Sequence, residues 1–170
     1  MKSCLISALV ILALVFIGTA LAHAVFYIQF NQNCSGYLKK AADANNIPRA
    51  AESLGFALEY LESNNMNSGR SHVFYYTQDC DVTFWYQNLK EAYNDLINFP
   101  KDSSLLEQSN QLMKLRETLL DEGEAGTTIT VPPNMFLYPH TFLVIALTLV
   151  YCVIPGIITI VIFNIGLQDY

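Results

Sequence analysis

Residues Ser3–Gln32 read SCLISALVILALVFIGTALAHAVFYIQFNQ, a stretch without one formal charge. At about 1.5 Å of rise per residue, a helix over its apolar heart, Cys4–Phe30, outruns a hydrocarbon core of roughly 30 Å. A second uncharged run, Thr141–Ile165 (TFLVIALTLVYCVIPGIITIVIFNI), lies at the other end of the chain. Working outward from these two runs, the expected fold is mainly α: two transmembrane helices bracketing an extracytoplasmic antiparallel helical bundle of about four helices. The segments follow in order: an anchor at 1–30, a soluble helical domain at 31–126, an extended juxtamembrane linker at 127–140, a second span at 141–165 and a short tail at 166–170.

Met1-Lys2, the apolar run after it and Ala20-Leu21-Ala22 also fit a secretory signal with a small-residue cleavage site. The chain stays apolar past that site, through Val25-Phe26-Tyr27-Ile28, which favours an uncleaved anchor. Lys2 points to a cytoplasmic start, with both termini inside and the insert outside.

The insert, residues 31–135, holds fourteen of the fifteen acidic residues and eight of the nine basic ones, for a net charge of −6. An acidic domain without a basic stripe excludes nucleic acid as the expected partner, since phosphate contacts draw on Lys and Arg. Cys34 and Cys80 are its only cysteines. In an oxidising compartment such a pair predicts a disulfide, closing a loop of roughly 45 residues and worth about 3–4 kcal/mol.

Helical periodicity organises the rest. Tyr37, Leu38, Ala41, Ala42 and Ala44 define a first helix, interrupted at Asn45-Asn46. Pro48 suits the first turn of a second, whose seam is Ile47, Ala51, Leu54, Leu58 and Leu61, and Asn64-Asn65 with Asn67-Ser68-Gly69 ends it. His72–Thr77 is strand-like in composition but lacks alternation, so an extended, aromatic-packed loop is expected. Asp79 or Asp81 caps a third helix with Val82, Trp85, Leu89, Tyr93, Leu96 and Ile97 on one face and Tyr86 beside it. Pro100 ends it. Ser104 and Glu107 have capping-box spacing and open a last helix reaching Leu119-Leu120, with Gly123 as its stop. Thr127–Val131, broken by Pro132-Pro133, is expected to run extended and to pair with part of His72–Thr77.

Four of these stretches, 37–45, 58–62, 84–89 and 112–120, resemble a family of small bacterial membrane proteins with two spans. The resemblance implies a bacterial membrane location and carries neither an activity nor site residues.

Candidate sites are sparse. His72, Asp79, Cys80 and Asp81 are the only gathering of metal-ligand types, and their spacing fits no structural zinc pattern. Loop polarity and helix capping explain them, so no metal or cofactor is expected. His23 and His140 lie at membrane depth or its edge, where an ionisable side chain draws attention; on facing helices they would ligate haem or relay a proton. Ser71-His72 has no supporting constellation, and no phosphate loop, nucleophile elbow or zincin helix occurs, so no catalytic residue is assigned. Tyr75, Tyr76, Trp85 and Tyr86 form a candidate partner-binding set, against a core reading for Trp85.

The expected function is a non-enzymatic, membrane-anchored helical module that binds another membrane or periplasmic protein, or its own copy, in the bacterial inner membrane. Such a module serves as an accessory or assembly subunit. Two alternatives stand beside it: an extracytoplasmic sensor signalling through a membrane partner, and a small redox protein holding haem between His23 and His140.

Overall fold

The computed structural model describes residues 2–72, 77–123, 126–142 and 145. Its contacts divide the chain into two compact units, one made of both chain ends (Met1–Val25 with His140–Tyr170) and one running from Phe26 to Pro139.

Helix α1 spans Lys2–Phe30. Of its described side chains, Leu14, Phe16, Ile17 and Leu21 are each more than half exposed, whereas Phe30 is buried. Over the residues described with their side chains, no helix is long and apolar enough to cross a membrane; in α1 the unbroken run of these is 16–30. The second uncharged run falls outside the described residues except for Thr141, Phe142 and Ile145.

The unit Phe26–Pro139 is built from four helices packed together: α2 (Gly36–Ala42), α3 (Ile47–Ser63), α4 (Val82–Ile97) and α5 (Leu105–Leu119). Each packs on the next, and α5 closes back onto α2 and α3. A π turn, Asn31–Ser35, carries the backbone from α1 into α2 without a loop. Local chemistry sets most boundaries. The Arg49 N–H donates to the Asn46 side chain (2.9 Å) and Pro48 occupies the first turn of α3, where its missing donor leaves nothing unsatisfied. The Phe84 N–H donates to Asp81 Oδ1 (3.0 Å), so Asp81 rather than Asp79 is the cap of α4. At α5 the capping box is complete: the Glu107 N–H donates to Ser104 Oγ (3.2 Å) and the Ser104 N–H to Glu107 Oε2 (2.7 Å).

Leu38, Leu54, Leu61, Val82, Leu89 and Leu119 are almost completely buried and form the centre of the core. Gly55 lets α3 approach α4 closely: a Cβ there would stand 3.3 Å from the Tyr93 ring. At Gly69, φ is +98° and a Cβ would meet the Tyr138 hydroxyl at 2.5 Å, so only glycine suits the turn. That hydroxyl donates to the Ser68 carbonyl.

Two expectations are corrected. Cys34 and Cys80 are not joined; both thiols are free and buried. Cys34 belongs to the main core cluster, whereas Cys80 lies outside it, in the 3-10 turn Gln78–Cys80 before α4, with its sulfur 3.0 Å from Thr77 Oγ1. An even cysteine count says nothing of which wall of the core each thiol enters. The last helix stops at Leu119, because Leu120–Gly123 (β1) turns to pair antiparallel with Gly126–Ile129 (β2), Leu120 opposite Ile129. The threonine-rich stretch therefore pairs with the end of its own helical hairpin; of its expected partner His72–Thr77, residues 73–76 lie outside the described residues. Beyond β2, the stretch expected as an extended juxtamembrane linker includes a 3-10 turn. Met135 and Leu137 are buried in that turn, Met135–Leu137, and Met135 joins the core cluster.

Candidate functional site

A concavity of about 590 Å³ lies where the last turn of α1, the π turn, α2, α5, the hairpin and the Pro132–Phe136 segment converge. That volume is within the range of small-molecule sites.

Local folding explains its walls. The Thr130 N–H donates to the Leu119 carbonyl (2.9 Å), continuing the hairpin past β2. The Trp85 indole N–H donates to the Thr130 carbonyl (2.8 Å), fastening the same residue to α4. With Thr130 held on both sides, its neighbours Ile129 and Val131 line the cleft. Asn134 adopts a left-handed conformation (φ 58°), and its side-chain amide lies 2.9 Å from His72 Nε2. This turns the chain so that Met135 is buried, 1% exposed, and Phe136 meets the Tyr27 ring edge-on at 5.4 Å. Phe30, 4% exposed, completes an apolar floor.

The rim is charged. Lys39 of α2 and Arg116 of α5 both line the cleft, and Asp43, one turn beyond Lys39, joins them. Among the described residues neither cation has a carboxylate within ion-pair distance, whereas Lys90 pairs with Glu62 (3.5 Å) and Lys114 with Asp95 (2.8 Å). The site thus combines an apolar floor with a rim of net positive charge, in a chain whose own net charge is −6.

The residues singled out from sequence lie elsewhere. Of the aromatic set, Trp85 and Tyr86 are buried, 8% and 7% exposed, so the core takes up both rings. Tyr75 and Tyr76 lie outside the described residues. The Tyr86 hydroxyl donates to Glu62 Oε1, with Lys90 Nζ 3.4 Å from the same hydroxyl, a clamp between α3 and α4. That hydrogen bond, with Lys90 nearby, holds the Glu62 carboxyl below its ordinary range. His23 and His140 are both exposed and belong to the unit of the chain ends. No group of three or more His, Cys, Asp or Glu suited to a metal occurs among the described residues. Among the described residues Ser71 Oγ is buried without a hydrogen-bond partner, and the His72 ring is engaged by Asn134. Burial pushes the Cys34 thiol far above its ordinary value, which keeps it protonated and unreactive.

Sequence reasoning missed Lys39, Arg116, Met135 and Phe136 as members of one site. The signal available was Pro132-Pro133-Asn134 followed by apolar residues, a composition that marks a packed turn as readily as a linker.

No family model, curated protein or solved structure matches this chain.

Proposed function

We propose that the protein is a membrane-anchored, non-enzymatic helical module, held in a bacterial inner membrane by its two uncharged runs. Its antiparallel bundle sits outside the cytoplasm, where it docks to another protein as an accessory or assembly subunit. Support for the anchor comes from α1, an uncharged helix beyond Lys2 on which Leu14, Phe16, Ile17 and Leu21 are each more than half exposed. The docking function is carried by one observation. Ile97 at the end of α4 and Leu105 and Leu106 at the start of α5 are 53%, 84% and 71% exposed, and they flank the same turn. Single exposed apolar residues are ordinary on a surface; three around one turn of an acidic domain make a contact patch.

The test compares the full chain with a Leu105→Asp/Leu106→Asp variant, each purified in mild detergent after crosslinking in intact cells. A stoichiometric crosslinked species, hetero- or homo-oligomeric, is expected for the parent and lost in the variant, with helical content unchanged. An identical crosslinking pattern in both chains removes the patch as the docking surface. Orientation is checked separately by labelling Asn67→Cys from outside intact cells; labelling only after the inner membrane is opened reverses the topology.

The sensor alternative draws on the unbroken helical backbone from α1 through the π turn into α2, a path by which a change in the bundle reaches the membrane helix. In that case the crosslinked partner would itself carry the output domain.

A further inference from the structure

We infer that the cleft beside the last turn of α1 is a binding site for an anionic amphiphile, a molecule with a phosphate or carboxylate head and a short apolar tail. The head is recognised by Lys39 and Arg116, which face the same opening from different helices and have no carboxylate within ion-pair distance among the described residues. An arginine fork beside a lysine is a common device for holding an oxyanion. Asp43 on the same rim leaves the charged lining residues with a net charge of one positive.

The tail is recognised by the half-buried Ile129, Val131 and Phe136, backed by the buried Phe30 and Met135. A phosphate or carboxylate alone would leave that floor against water, whereas a tail displaces water that has few polar partners there. A neutral apolar molecule would in turn leave both cations without a counter-charge. Only a molecule carrying both parts satisfies the two halves of the cleft. The inference is independent of the docking patch, since the patch lies at the α4–α5 turn and shares no residue with the cleft.

Trp85 gives the readout. It is the only tryptophan, and its indole N–H binds the carbonyl of Thr130, between the cleft residues Ile129 and Val131. The full chain in nanodiscs of phosphatidylcholine is titrated with octyl phosphate, with inorganic phosphate and octanol as controls, and Trp85 emission is followed. Octyl phosphate is expected to give a saturable change at a concentration about tenfold or more below either control, since each control forfeits one half of the recognition. Lys39→Gln and Arg116→Gln, both exposed positions, should each weaken octyl phosphate by roughly tenfold while leaving the thermal melt unchanged.

A response to octanol of equal affinity, or equal affinity in both variants, overturns the assignment of the cationic rim. Equal affinity for inorganic phosphate overturns the role of the apolar floor and leaves a simple anion site. Displacement of octyl phosphate by a shorter, carboxylate-ended apolar peptide at lower concentration overturns the amphiphile in favour of a peptide ligand. Two sources of the same chemistry are then separated. If phosphatidylglycerol included in the nanodisc abolishes the octyl phosphate response, the natural ligand comes from the bilayer; an undiminished response assigns a free amphiphile.

Discussion

Trp85→Ala tests the core of the bundle most directly. The side chain is 8% exposed, sits on α4 among the buried core residues, and reaches across 45 positions of sequence to bind Thr130 O at 2.8 Å. Truncating a buried tryptophan to alanine costs about 3–5 kcal/mol through lost transfer energy and the cavity left behind. Thr130 is an exposed residue and the hydrogen bond is only part-buried, so losing it adds only about 0.5–1.5 kcal/mol within that figure. A domain of this size has a total stability of about 5–15 kcal/mol, so the substitution removes a large fraction of it. The assay is urea unfolding of a fragment spanning residues 26–139, which encloses the whole core cluster, followed by circular dichroism. Trp85→Phe is the companion variant: it keeps most of the ring area, loses the N–H, and should recover more than half of the loss. A Trp85→Ala fragment within about 1 kcal/mol of the parent would refute the burial argument. Phenylalanine behaving no better than alanine would mean that the hydrogen bond, not packing, fastens the hairpin to α4.

Three further outcomes follow from particular contacts. Gly55→Leu should destabilise the same fragment by about 1–3 kcal/mol, because even a Cβ stands 3.3 Å from the Tyr93 ring; adding Tyr93→Ala should return part of that, and strictly additive losses would remove the close α3–α4 approach as the cause. Glu62 is held below its ordinary value of 4.5 first by the Tyr86 hydroxyl and then by Lys90. Its contribution is therefore complete above about pH 4.5 and fades as pH falls through the lower, folded value. Urea midpoints taken from about pH 5 to about pH 3 should fall slightly more steeply for the parent than for Tyr86→Phe, an effect kept small because Glu62 and Lys90 are each about half exposed; parallel curves would dismiss the clamp. Cys34 and Cys80, the only cysteines of the fragment, should leave its mass unchanged on treatment with reductant, and Cys34 should resist iodoacetamide until urea is added. A gain of two hydrogens on reduction would restore the disulfide.

What the chain determined by itself was local. Asn46, Asp81 and Ser104 are caps because each side chain reaches an N–H three residues on, within the same turn, and that geometry is written in the spacing. The seam Leu54, Leu58 and Leu61 is buried because residues three and four apart share a helix face, whatever packs against them. What only the tertiary structure decided depends on distant partners. Leu120 has the helical propensity to extend α5, yet it becomes strand because Ile129 is opposite it and Thr130 is held between Leu119 and Trp85. The two cysteines differ in fate for the same reason: parity is a property of composition, but a bond needs two sulfurs on one wall, and only Cys34 joins the main core. The cleft is the extreme case. Lys39, Arg116 and Met135 are unremarkable where each stands in sequence, and they become one site only when the chain from β2 to Phe136 folds back across α2 and α5. Caps and periodicity act within about one helical turn and so survive reading in one dimension, whereas strand pairing, thiol pairing and cavities depend on which distant segments the core brings together.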